Sequence, residues 1–226
     1  MTSTLPSKTP SNLQTILQNI QAAKEDAGRL DQNITLVAVS KTKPANEIMP
    51  VLEEGHRIFG ENKIQETAEK WPDLRVKYPD VELHLIGPLQ SNKVRQAIQL
   101  FDVIESIDRP KLARAIARIS KQENKYCDGY IQINIGKETQ KAGIDPDEAD
   151  DFIAFCRVEL KLSIVGLMCI PPADQDPIPY FLRLKKIAQR NGLDKLSMGM
   201  SSDYHAAIEC GATSVRVGTA IFGARP

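Results

Sequence analysis

A single (β/α)8 barrel of the TIM type, with one extra helix at its N-terminus, is the fold this sequence predicts. Three observations carry the prediction. Eight short apolar runs recur along the 226 residues, and between them lie stretches rich in Ala, Leu, Lys, Glu and Gln, each long enough for one helix. Neither a linker nor a change of composition divides the chain. Alternations of about 25 residues each suit a parallel barrel slightly small for its class. An open doubly wound sheet is the alternative, and it would ordinarily use fewer strands.

Taken in order, residues 1–10 read as a flexible leader ahead of one domain spanning 11–226. A helix starting near Pro10 then places Leu13, Ile16, Leu17 and Ile20 on one face at helical spacing. Strands follow at 35–40 (TLVAVS), 57–60 (RIFG), 82–87 (ELHLIG) and 102–107 (DVIESI). Four more are expected at 129–135, 162–168, 195–199 and 214–218. Intervening segments such as IQETAEKWPDLRVKY and RPKLARAIARISKQ have helical composition. One short helix follows the eighth strand, and no further domain is expected after it.

Composition removes several functional classes. Lys+Arg and Asp+Glu are both 29, so the formal net charge is zero and a nucleic-acid partner is not expected. Aromatic residues make up only 5%, too few for base-stacking platforms. The start, MTSTLPSKTPSN, has no apolar core of a secretory signal. The longest uncharged apolar stretch, LSIVGLMCIPPA, is about a dozen residues where a membrane span needs about 20. Four scattered cysteines and three isolated histidines suggest neither a disulfide framework nor a metal site. The expectation is a cytoplasmic, soluble monomer without membrane contact.

Parallel barrels place their chemistry at the C-terminal ends of the strands. The first strand ends in Ser40-Lys41, where the lysine is either a solvated charge at the strand exit or an amine held for covalent chemistry. The second runs into Gly60-Glu61-Asn62, and the third carries His84, either a satisfied core histidine or a pocket residue. After the seventh, GMSSDY places Ser201 and Ser202 at a helix start, and after the eighth, VGTAIFG places Gly218 and Thr219 at another. Each motif alone reads as ordinary helix capping. On adjacent strands of one barrel, the two together read as a phosphate cup. Arg216, within Val215-Arg216-Val217, is costly to bury unpaired and must meet either a neighbouring strand's carboxylate or a ligand.

A lysine, a phosphate cup and an inward arginine together suggest pyridoxal 5'-phosphate (PLP). Lys41 would form the Schiff base, the cup would hold the phosphate, and Arg216 would donate to the pyridine nitrogen. An arginine there leaves the nitrogen unprotonated and damps the ring as an electron sink. A Schiff-base aldolase acting on a sugar phosphate is the alternative on the same residues.

Seven segments carry a resemblance to a known family: VSKTKP (39–44), GENKIQE (60–66), HLIGPLQSNK (84–93), QINIGKETQKAG (132–143), GLMCIPP (166–172), LSMGMSSDYHAAI (196–208) and VRVGTAIFGAR (215–225). In order, and over nearly all of the chain after residue 30, they resemble the pyridoxal-phosphate homeostasis protein family, known as YggS or PROSC. The resemblance implies a barrel similar to the N-terminal domain of alanine racemase, with PLP as a Schiff base on Lys41. It further implies Arg216 at the pyridine nitrogen and Asn62 near the ring hydroxyl. Ser201, Gly218 and Thr219 would hold the phosphate, while Met198 and His84 would line the pocket. Ser202, also counted with the cofactor-binding residues, stands where Asp or Asn is frequent, and Tyr204-His205 replaces a more typical Met-Glu pair. The family is associated with PLP supply and amino-acid and keto-acid balance rather than with robust catalysis. Free amino acids and apo forms of PLP enzymes are the expected partners, and a PLP-dependent racemase is the alternative.

Overall fold

The structure is a computed structural model that describes residues 11–224. The expected leader, residues 1–10, lies outside the described residues. Eight strands run β1 (Thr35–Val39), β2 (Ile58–Glu61), β3 (Glu82–Leu85), β4 (Val103–Ile107), β5 (Asp128–Ile133), β6 (Ile164–Cys169), β7 (Lys195–Ser197) and β8 (Ser214–Val217). They pair in parallel in chain order, and β8 returns to β1 with Val37 opposite Arg216, closing the barrel. The eight apolar runs are these strands, with ends shifted by one or two residues.

The helices are α1 (Asn12–Asp26), α2 (Ala45–Glu53), α3 (Ile64–Lys77), α4 (Val94–Leu100), α5 (Pro110–Glu123), α6 (Ala149–Ala154), α7 (Ile178–Arg190), α8 (Tyr204–Cys210) and α9 (Thr219–Phe222). The extra helix, α1, begins at Asn12 because Ser11 caps it, its Oγ accepting the Gln14 N–H at 3.1 Å. Its buried face is Leu13, Ile16, Ile20 and Ala23, packed towards α8 and α9. Leu17, expected on that face, is instead exposed, because the buried stripe continues through Ala23.

Alternation along the strands separates two environments. Outward residues such as Leu36, Phe59, Leu83, Ile104, Leu167 and Val215 join the helices in one continuous apolar core. Inside the barrel, Val103, Tyr130 and Met168 form a small separate cluster. Beside Val37, which sits in register with Arg216, the interior layer carries a polar network. Glu105 on β4, with no exposure, accepts a hydrogen bond from Ser197 on β7 at 2.6 Å. Since β4 and β7 are not neighbours, that bond crosses the barrel. Arg216 on β8 donates to Ser197 Oγ at 2.6 Å and to the Cys169 carbonyl at 2.9 Å, and lies 3.9 Å from Glu105 Oε2.

His84 completes this layer. Its Nδ1 lies 2.6 Å from Glu105 Oε1 and its Nε2 lies 2.6 Å from Glu82 Oε1. Burial disfavours the imidazolium most strongly, yet the hydrogen bonds and charges of the two carboxylates outweigh it and raise the pKa to about 9. Burial likewise opposes charge on Glu105, but His84, Arg216 and Ser197 hold its carboxyl below the usual value.

A pH dependence of stability follows, and its sign is set by the raised pKa. An unfolded histidine titrates near about 6.5, so the His84 contribution is fully present below that pH and is lost as pH rises through about 9. The difference in urea-unfolding free energy between the wild type and His84→Gln should therefore shrink between pH 6 and pH 10. Its full size should be on the order of 3 kcal/mol. A difference that stays constant across this range would show that the imidazole does not titrate there.

Candidate functional site

The strand C-termini surround a cavity of about 300 Å³. Lys41, one residue past Ser40 at the end of β1, lies at its wall together with Lys43 and Arg216. Asn62 comes from the segment after β2, Ser201 and Ser202 from the turn between β7 and α8, and Gly218 and Thr219 from the start of α9. Val39, Ile86, Ile170, Met200 and Phe222 supply the apolar wall. Among the described residues that line it, three are cationic and none is Asp or Glu. The cavity is thus built for an anion with an apolar body.

Each element places its residue for a local reason. Barrel closure sets the end of β8 against the end of β1, so closely that a Cβ on Gly218 would lie 3.1 Å from the Val39 carbonyl oxygen. Gly218 caps α9 without any side-chain bond, leaving the amides of Thr219 and Ala220 with no acceptor inside the helix. In the loop after β7, Asp203 turns away from the cavity and accepts the Met200 N–H at 2.6 Å, which fixes the turn that presents Ser201 and Ser202. Both serines and Thr219 are exposed at the rim, whereas Arg216 is buried on the floor.

Seven residues singled out from the sequence therefore meet in one place: Lys41, Asn62, Ser201, Ser202, Arg216, Gly218 and Thr219. Two do not. His84 lies one layer deeper, bonded to Glu82 and Glu105, and borders a different cavity at the N-terminal ends of the strands. The β3 segment's pocket residue is Ile86, two positions further along the same alternating face. Met198 follows the inward Ser197, so alternation turns it outward, fully buried in the core beneath the helices. Met200, two residues on, lines the cavity in its place. The carboxylate that faces Arg216 is not on a neighbouring strand, as expected, but is Glu105 of β4 across the barrel at 3.9 Å, and the guanidinium also lines the cavity.

Sequence reasoning missed Lys43. It is 7% exposed, donates to the Ala224 carbonyl at 3.1 Å and pairs with Glu47 at 3.0 Å. Its spacing two residues from Lys41, on the exit from a buried strand, was the available signal.

Comparison with known proteins agrees with this architecture. The sequence profile of the alanine racemase N-terminal domain family matches residues 11–226. A pyridoxal phosphate homeostasis protein of Pasteurella multocida is 40% identical over 224 residues, covering 95% of this chain and 96% of the relative. The protein of that name from Escherichia coli K12 is 40% identical over 225 residues, covering 95% of each chain. Among solved structures, PipY of Synechococcus elongatus PCC7942 with PLP bound superposes with a TM-score of 0.76 at 35% identity, over 90% of this chain and all of that one (100%). On this fold, this site and these relatives, the chain belongs to the pyridoxal phosphate homeostasis protein family, on the barrel of the alanine racemase N-terminal domain.

Proposed function

We propose that this protein binds PLP in the cavity at the strand C-termini, holds it as a Schiff base on Lys41, and carries it without turning over a substrate. The observation that carries the reading is the cavity's lining: Lys41, Lys43 and Arg216 around an apolar wall, with no carboxylate among the described residues. The PLP bound to PipY supports the same choice of ligand.

The residues present fit the cofactor's parts. Ser201, Ser202 and Thr219 hydroxyls, with the amides after Gly218, can hold the phosphate at the rim. Val39, Ile86, Ile170 and Met200 can flank the ring, and Asn62 can meet its hydroxyl. When bound, PLP supplies an electrophilic aldehyde and a ring able to withdraw electrons. Arg216 has five N–H donors, and Ser197 and Cys169 engage two of them. A guanidinium donates a hydrogen bond to the ring nitrogen and keeps its proton, which suits storage better than catalysis. Lys41 is only partly buried, so incoming amines can reach it from solvent.

On this reading the protein serves PLP homeostasis and amino-acid and keto-acid balance. Free amino acids and apo-enzymes are its proposed partners, and a cytoplasmic monomer is its proposed form. Among the described residues no helix is long and apolar enough to cross a membrane, and Cys127, Cys156, Cys169 and Cys210 are all free thiols.

Three expectations test this reading. Borohydride treatment of PLP-loaded protein should fix the label on the peptide containing Lys41, and Lys41→Ala should lose the label yet retain measurable PLP affinity; labelling at Lys43 or Lys93 would sink the assignment. Pyridoxal, lacking the phosphate, should bind about a hundredfold more weakly, since charge-assisted hydrogen bonds are each worth about 1.5–3 kcal/mol. Equal affinities in calorimetry would refute the phosphate cup. Loaded protein incubated with L-alanine should show a spectral shift without racemisation or keto-acid formation. Repeated turnover followed by polarimetry would replace the carrier reading with a racemase or transaminase.

A further inference from the structure

Lys41 is flanked on both sides by contacts from a single helix face. Glu66 and Lys70 sit one turn apart on α3, with Lys70 Nζ 2.8 Å from Glu66 Oε1. Lys70 donates to the Ser40 carbonyl at 2.9 Å and to the Lys43 carbonyl at 3.0 Å. Glu66 accepts the Thr42 N–H at 2.5 Å. The backbone is thus held at residues 40, 42 and 43, on both sides of Lys41. A lysine in a charged helix ordinarily lies in solvent, but the Lys70 side chain is only 9% exposed. The ammonium also pairs, at 2.8 Å, with Glu61 Oε1, a carboxylate with no exposure that accepts from Ser40 Oγ at 2.6 Å and Trp71 Nε1 at 3.0 Å.

The segment so held is strained. Thr42 has φ +64°, in the left-handed region that a β-branched residue rarely occupies. Conformations of this kind persist only where surrounding contacts over-determine them. Here the contact is the Glu66 carboxylate on the Thr42 amide itself. The helix stays docked through other residues as well, since Thr67, Trp71 and Leu74 are buried along the adjacent stripe.

We propose that Glu66 and Lys70 are positioning residues that hold the backbone around Lys41 so that its amine meets a bound aldehyde at the geometry covalent capture requires. The inference rests on the reading of Lys41 as the Schiff-base lysine. In that step the amine adds to the aldehyde carbon, a C=N bond replaces the C=O bond, and the oxygen departs as water. Non-covalent recognition of the cofactor uses other residues, chiefly those of the rim and Arg216. The clamp therefore acts on capture and leaves recognition alone, and a displacement of about 1 Å at a reacting group can lower capture a hundredfold.

Two ligands separate the two contributions: PLP, and pyridoxine 5'-phosphate, which carries an alcohol in place of the aldehyde and cannot form the C=N bond. Lys70→Met alone leaves the buried Glu61 charge unpaired and endangers folding. The test therefore uses Glu66→Ala, at a partly exposed side chain, and the charge-neutral double variant Glu61→Gln/Lys70→Met, with folding checked by circular dichroism. In both, pyridoxine 5'-phosphate affinity should stay within about threefold of wild type while the equilibrium for covalent capture falls about tenfold or more. Capture is read from the absorbance of loaded protein and from borohydride-fixed label on the Lys41 peptide. Equal losses for both ligands, or no loss for either, would overturn the clamp; if the double variant does not fold, Glu66→Ala decides alone. Failure of the wild type itself to fix label on Lys41 would overturn the parent reading, and this one with it.

Discussion

At the centre of the barrel a carboxylate with no access to solvent, Glu105, is held between two cations, His84 and Arg216. An isolated charge at that depth is not tolerable, and removing one partner of a buried pair typically costs about 3–5 kcal/mol. The interior of this barrel is therefore a set of mutually dependent charges as well as a packed layer. Ser197 joins them, donating to Glu105 and accepting from Arg216, so β3, β4, β7 and β8 are tied across the interior by one carboxylate. Arg216 is further fixed by the Cys169 carbonyl of β6. Its guanidinium reaches the floor of the functional cavity already oriented.

The same arrangement polarises the barrel from end to end. The cavity at the strand N-termini is bordered by Glu82, Asp102, Asp128 and Asp194 against Lys195 and His84. The cavity at the C-termini has Lys41, Lys43 and Arg216 and, among the described residues, no carboxylate. An anionic ligand is thus favoured at one end and disfavoured at the other before any specific hydrogen bond forms. Closure of β8 on β1 then brings Gly218 and Thr219 beside Lys41, from opposite ends of the sequence.

How far this was legible in the sequence depends on which coordinate is asked for. Apolar runs mark the strands well, because strands covered by helices must bury their outward residues, as Leu36, Leu83 and Leu167 do. Alternation also tells which residues share a face. It does not tell how deep along the barrel axis a residue sits, since strand tilt and register decide that. His84 and Ile86 share a face and differ by one layer, and a histidine drew attention where an isoleucine lines the cavity. Met198 shows the complementary error: a motif read as a whole conceals that its alternate residues point to opposite sides. Lys70 escaped notice altogether, because within IQETAEKWPDLRVKY its charge resembles any solvated helix charge. Only the approach of α3 to the end of β1 makes it an interior residue.

The contrast between floor and rim bears most directly on the proposed role. Arg216 is 4% exposed and committed to a network that spans the interior, so the surroundings of a ring nitrogen placed there are shielded from solvent. Lys41 is partly buried, and Ser201, Ser202 and Thr219 are exposed. On the proposed reading, water and small amines could therefore reach a covalent bond at Lys41 and a phosphate at the rim while the far side of the ring stays fixed. Sustained catalysis on such a bond calls for exclusion of water and a base placed against the substrate. Reversible loading asks for the opposite at the rim, an accessible amine and a phosphate site open to exchange, combined with a floor rigid enough to select the ligand. The burial of these residues, Arg216 below and Lys41 with the rim hydroxyls above, supports the second, proposed requirement.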